Sequence, residues 1–62
     1  MNKQTSYPIE IVRIGHQIKV TALDPETGME AVVICPNTIS RQDACDLAVR
    51  KLHYVLARQK VE

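Results

Sequence analysis

The sequence predicts an α+β protein in which a three-stranded antiparallel β-meander is followed by one C-terminal helix. Two short segments of turn-forming residues divide the first part of the chain into three runs rich in β-branched and other apolar residues. Residues 40–59 instead place apolar residues at helical spacing. Neither a repeat nor a low-complexity tract interrupts this order, so we treat all 62 residues as one small domain.

The strands form a predicted meander over residues 9–35. Residues 1–8 are predicted to be a flexible arm that ends at Pro8, which lacks an N–H and biases the preceding residue towards an extended conformation. The first strand is rich in β-branched residues, and the second alternates polar and apolar residues. The predicted strands are residues 9–14, 17–23 and 29–35.

Two turns connect these strands. Gly15 and His16 are typical of a two-residue hairpin, with glycine at the position that needs a positive φ, and this turn places Ile11 opposite Val20. Residues 24–28 suit a longer connection that begins with Asp-Pro and ends with Gly28. A bulge at Gly28 would shift the register between strands two and three by one residue, so that register stays open.

The predicted helix, residues 40–59, has clear start and end signals. Ser40 is a good N-cap with Asp43 three residues later, and Arg58 lies near the negative end of the helix dipole. One broad apolar stripe suits a helix that lies on a sheet. It consists of Ala44, Cys45, Ala48, Val49, Leu52, Val55 and Leu56.

A second apolar line on the helix and a second apolar face on the sheet predict self-association. The helix line recurs at heptad spacing and is separated from the broad stripe by Lys51 and Arg58. A monomer would expose both surfaces. We therefore predict a homodimer, formed by face-to-face sheets or by helix exchange through a hinge at residues 36–38. The predicted interface is Val12, Ile14, Val32, Ile34, Leu47, Tyr54 and Val61.

Size and composition point in the same direction. A chain of 62 residues without Trp or Phe must build a small aliphatic core, and such chains are commonly stabilised by association.

The net charge of +1 argues against nucleic acid or a membrane surface as a dedicated partner. Because we find neither a signal-peptide pattern nor a transmembrane run, we expect a cytosolic protein with reduced Cys35 and Cys45.

We expect no catalytic site, metal site or cofactor. Cys35 and Cys45 are ten residues apart without a second ligand pair at metal-site spacing, and they suit small buried positions instead. His16 falls in a turn and His53 on the polar side of the helix, and neither has a nucleophile or carboxylate nearby in sequence. Phosphate-binding glycine loops are also missing. The sequence therefore predicts a protein that is not an enzyme.

Basic residues on the helix offer an alternative function. Arg41, Arg50, Lys51 and Arg58 could contact phosphates of a nucleic acid if they shared one face. Arg50 and Lys51 lie about 100° apart on the helix, and Asp43 and the nearby Asp46 dilute the positive field. A solvated helix face is the commoner explanation of such residues.

Two families resemble this outline. The three strands followed by a helix, with the runs Ser40–Ala44, Leu47-Ala48 and Lys51-Leu52, look like the C-terminal half of a double-stranded-RNA-binding domain. In that family a lysine pair at the helix start contacts phosphate, and here those two positions hold Arg41 and Gln42. The outline also resembles HicB-type antitoxins, which implies dimerisation and an unidentified protein partner, a toxin. That second resemblance rests on Thr38, Ser40, Ala44, Ala48 and Leu52.

A third resemblance covers more of the chain. The segments at residues 12–15, 19–28 and 47–56 are similar to a small bacterial family of unknown function. This resemblance implies the βββα fold and supplies no activity.

Overall fold

A computed structural model describes residues 7–59 of the chain. Three antiparallel strands form one sheet in the order β1-β2-β3, and a single helix follows. The predicted βββα fold is confirmed. The elements are β1 (Ile9–Ile14), β2 (Gln17–Leu23), β3 (Glu30–Pro36) and α1 (Arg41–Gln59).

The strand register agrees with the predicted hairpin and settles the register that the sequence left open. Gly15 has a φ of 61°, and Ile11 lies opposite Val20. Between β2 and β3 the pairing is continuous, with Val20 opposite Val33. β3 spans residues 30–36, so it begins and ends one residue later than the predicted strand 29–35. The Met29 carbonyl accepts a hydrogen bond of 2.8 Å from the Asp24 N–H, which continues the ladder into the turn.

Asp24 organises the turn between β2 and β3. Its side chain is buried, and its two carboxylate oxygens accept hydrogen bonds from the Glu26 N–H at 3.2 Å and the Thr27 hydroxyl at 2.9 Å. The Asp24 carbonyl accepts a further bond of 2.8 Å from the Gly28 N–H. Gly28 has a φ of 80°, which an L side chain rarely adopts. The turn is therefore held by local hydrogen bonds and needs no bulge.

Replacing Asp24 by alanine should lower the free energy of unfolding by about 1 kcal/mol, because two hydrogen bonds are lost while water can still reach their donors. Urea denaturation followed by circular dichroism measures this change. Asp24→Asn is the matched control, since an amide keeps one carbonyl oxygen for the Glu26 N–H and an NH₂ group for the Thr27 hydroxyl. An equal loss in both variants would contradict this account of the turn.

The helix begins as the sequence predicts. Ser40 is the N-cap, since its hydroxyl accepts a hydrogen bond of 3.0 Å from the Asp43 N–H. The turn before it is tight, because the Ile39 N–H donates to the Pro36 carbonyl at 3.1 Å. The buried core lies between α1 and the sheet. It consists of Val20, Ala22, Ala31, Cys35, Ala44, Ala48 and Leu52.

The helix covers only part of its side of the sheet. It packs mainly on β3 and β2, and Ile9 and Ile11 of β1 stay half-buried at the margin of the core. Within the predicted arm, Tyr7 packs against the core with its ring 5.6 Å from that of His53 in an edge-on arrangement. The remainder of the predicted arm, residues 1–6, lies outside the described residues.

Candidate association surface

The face of the sheet opposite the helix is open and combines apolar edges with a polar centre. The register aligns Val12, Lys19 and Ile34 in one row across the three strands. Val12 is 38% exposed and Ile34 is 54% exposed. Val32 on β3 and Ile14 on β1 are 36% and 55% exposed on the same face. The four predicted aliphatic side chains therefore lie on the two outer strands and not in one continuous patch.

A shallow depression lies on the same face. It has a volume of about 320 Å³, and its walls combine charged, polar and apolar side chains. Its charged lining residues are Lys19 on the central strand, Glu10 on β1, opposite Thr21, and Glu30 on β3, opposite Leu23. These charged side chains are exposed, so solvent reaches the floor and walls of the depression.

The second apolar line of the helix is also at the surface. Leu47 is 41% exposed and Tyr54 is 60% exposed. Arg58 lies over the Tyr54 ring at 5.6 Å from its centre and donates a hydrogen bond of 3.1 Å to the Tyr54 hydroxyl. This contact restricts the rotation of an exposed aromatic side chain. Val61, the third predicted residue of this line, lies outside the described residues.

The predicted interface residues therefore lie on two opposite sides of the molecule, and the outer edge of β3 is where these sides meet. Lys51 marks that border, because its ammonium group donates a hydrogen bond of 2.8 Å to the Val32 carbonyl. The flank of α1 that carries Lys51 therefore lies towards the outer edge of β3. Leu47 and Tyr54, four residues before and three after Lys51, lie on that side of the helix. Sequence reasoning missed this contact, although the place of Lys51 beside the buried stripe was visible.

The structure does not gather the basic residues predicted to contact nucleic acid. Arg41 begins α1 and Arg58 lies in its last turn, about 25 Å away along the helix axis. Lys51 is bonded to a backbone carbonyl of β3, and Arg58 is stacked on Tyr54. Arg50 is exposed on the helix surface. Nucleic-acid contact by this set stays a prediction.

The residues considered for chemistry are also dispersed. Cys35 is buried in the core, Cys45 is half-buried on α1, and both are free thiols. His16 is exposed in the first turn, whereas His53 contacts Tyr7. Within residues 7–59, no group of three or more His, Cys, Asp or Glu side chains is placed to hold a metal ion.

Comparison with known proteins identifies the family. Residues 4–59 match a protein family described as "Domain of unknown function (DUF6898)". The chain belongs to this family. The predicted membership of a small family of unknown function is thereby confirmed, and this family supplies no activity. Neither the curated proteins nor the solved structures contain a match. In the described part of this DUF6898 chain, no helix is long and apolar enough to cross a membrane.

Proposed function

We propose that the protein acts by self-association, as a homodimer, and not by catalysis. The exposure of six large apolar side chains within residues 7–59 is the observation that supports this proposal. A short chain with a small core also gains stability from a partner. Cys35 and Cys45 are free thiols, which suits the reducing cytosol as the location of this dimer.

Catalysis finds less support. The histidines, cysteines and carboxylates of the described residues are spread over separate elements, whereas a nucleophile and its base must lie within hydrogen-bond reach. An antitoxin-like role would add a second protein to the dimer, and nothing in residues 7–59 selects such a partner by shape or charge.

The mass of the protein in solution tests the proposal. We expect sedimentation equilibrium across the micromolar range to give twice the chain mass of 7.0 kDa, with dissociation on dilution. A chain that stays monomeric throughout would contradict the proposal. Retention on heparin that falls steeply with salt would favour nucleic-acid binding instead.

A variant shows whether the exposed helix line takes part. Tyr54→Glu should shift the equilibrium towards monomer, because a charge replaces an exposed apolar ring. The helix should persist, since the new carboxylate lies four residues before Arg58, at ion-pair spacing. Gln42→Glu is the control, because it adds the same charge at an exposed position near the helix start. Unfolding of the Tyr54 variant would place Tyr54 in the core instead.

A further inference from the structure

The outer edge of β3 offers backbone groups that pair with no neighbouring strand, and it lies between two exposed apolar surfaces. In an antiparallel ladder, pairs that exchange backbone hydrogen bonds alternate with pairs whose N–H and C=O groups point away. The bonds from the Asp24 N–H to the Met29 carbonyl and from the Asn37 N–H to the His16 carbonyl fix this alternation. The N–H and C=O groups of Glu30, Val32 and Ile34 therefore point outward from the sheet.

We propose that β3 pairs antiparallel with β3 of a second copy, about a two-fold axis at Val32, to give one continuous six-stranded sheet. This inference rests on the proposed homodimer and specifies its geometry. The axis places Val32 opposite Val32 of the partner subunit and Glu30 opposite Ile34 of the partner subunit. On the open face, the Val32 side chains of the two copies become neighbours, with Ile34 of each copy diagonal to them.

The position of the helix suits this pairing. The turn before α1 returns the chain along β3. Lys51 lies ten residues after the start of α1, and its ammonium group contacts Val32, which lies four residues before the end of β3. Ten helical residues rise about 15 Å and four strand residues span about 13 Å, so α1 runs roughly along β3 in the opposite direction.

The two helices would then lie side by side at packing distance. α1 lies over β3 and β2, which places its axis about half a strand spacing inward from β3. Adding the spacing of about 4.8 Å between the paired strands gives roughly 10 Å between the helix axes, which is the usual distance for packed helices. The exposed line of α1 then faces the same line of the partner's helix.

The residues along this line are complementary about the axis. With the axis beside Lys51, Leu47 lies opposite Tyr54 of the partner subunit, because these positions are four residues before and three after Lys51. By the same symmetry, Asp43 lies opposite Arg58 of the partner subunit, and both side chains are exposed. The two-fold axis thus gives each dimer two apolar contacts and two pairs of opposite charges between its helices.

Lys51 remains compatible with the pairing. Its ammonium group uses one lone pair of the Val32 carbonyl, and a carbonyl oxygen has a second for the N–H of the facing strand. The two Lys51 side chains flank the axis, and each keeps its bond to its own strand.

Two alternative geometries, face-to-face sheets and edge pairing through β1, would bury a charge or leave apolar side chains exposed. Face-to-face sheets would bury Lys19, which lies at the centre of the open face between Val12 and Ile34, whereas edge pairing through β3 lets each Lys51 keep its hydrogen bond to a Val32 carbonyl. Pairing through β1 would set the helix axes roughly 20 Å apart, leaving Leu47 and Tyr54 exposed.

Backbone chemistry tests the proposal without changing a side chain. A synthetic chain with an N-methyl group on Val32 loses one outward N–H, and the pairing of β3 with β2 stays intact. Ile11 is the control, because its N–H points outward from β1: the Leu23 N–H bonds the Pro8 carbonyl and fixes that ladder. We expect the Val32-methylated chain to sediment as a monomer and the Ile11-methylated chain as a dimer.

Each outcome has a distinct meaning. A dimer that survives methylation at Val32 would overturn the β3 geometry and leave the homodimer intact. A monomer caused by methylation at Ile11 would move the interface to β1. A monomeric unmodified chain would overturn the homodimer itself and this inference with it. Circular dichroism of each chain reports whether it has folded.

A cross-linking experiment covers the case in which a methylated chain fails to fold. In a background with Cys35→Ala and Cys45→Ala, Val32→Cys should form an intermolecular disulfide under mild oxidation, since paired strands hold facing Cα atoms about 5.5 Å apart. Val12→Cys is the matched control, because Val12 is also an exposed valine of the open face but lies on β1. Cross-linking of the Val12 variant in preference to the Val32 variant would overturn the proposal.

Discussion

Replacing Leu52 by alanine should unfold the domain or leave it barely stable. Leu52 is one of the two largest fully buried side chains, and it lies between α1 and the sheet with an exposed fraction of 0%. Truncating a buried leucine costs about 2–5 kcal/mol, because transfer energy is lost and a cavity remains. A domain of this size has a total stability of about 3–9 kcal/mol. One substitution therefore removes a large share of the stability.

Leu47→Ala is the matched control on the same helix. Leu47 is 41% exposed, so the same truncation removes less buried area. Leucine and alanine both favour helix, so the substitution itself does not disrupt α1. Urea denaturation followed by circular dichroism compares the two variants. Measuring at two protein concentrations separates loss of folding from loss of association, because only a dimer's stability depends on concentration. Equal destabilisation at a concentration where the chain is monomeric would mean that Leu47 belongs to the core.

Local patterns in the sequence are sufficient to predict the elements of this fold. The β-branched runs, Gly15 in the first turn and Ser40 at the helix start each act within a few residues, and each lies where the pattern places it. The register at Gly28 could not be derived in this way. It depends on whether the turn closes through Asp24 and Met29, and several backbone geometries are compatible with the same residues.

The arrangement of the exposed apolar residues was harder to predict for a different reason. Periodicity assigns a residue to a face of its own element, so the exposure of Val32, Ile34, Leu47 and Tyr54 could be predicted. It does not state how the helix lies across the sheet. The contact of Lys51 with the Val32 carbonyl supplies that information, because it places the flank of α1 that carries Leu47 and Tyr54 beside the outer edge of β3.

Replacing Ala48 by leucine should destabilise the domain by about 1–3 kcal/mol, since the added atoms have no space in a packed core. Ala48 is 0% exposed on the buried side of α1, and Ala44 one turn earlier is equally buried. Ala22 and Ala31 face each other on the sheet beneath and are also buried. Small side chains on both layers let the helix approach the sheet closely, which a core without Phe or Trp requires.

Ala57→Leu is the control, because Ala57 is exposed on the same helix and leucine there meets solvent. Urea denaturation should show a loss for the Ala48 variant and little change for the Ala57 variant. The Ala48 variant also tests the link between packing and association. A helix displaced from the sheet moves Leu47 and Tyr54 away from the β3 edge, so its dimer should weaken even where the helix survives. An Ala48 variant that keeps both its stability and its association would show that the buried alanines do not set the distance between α1 and the sheet.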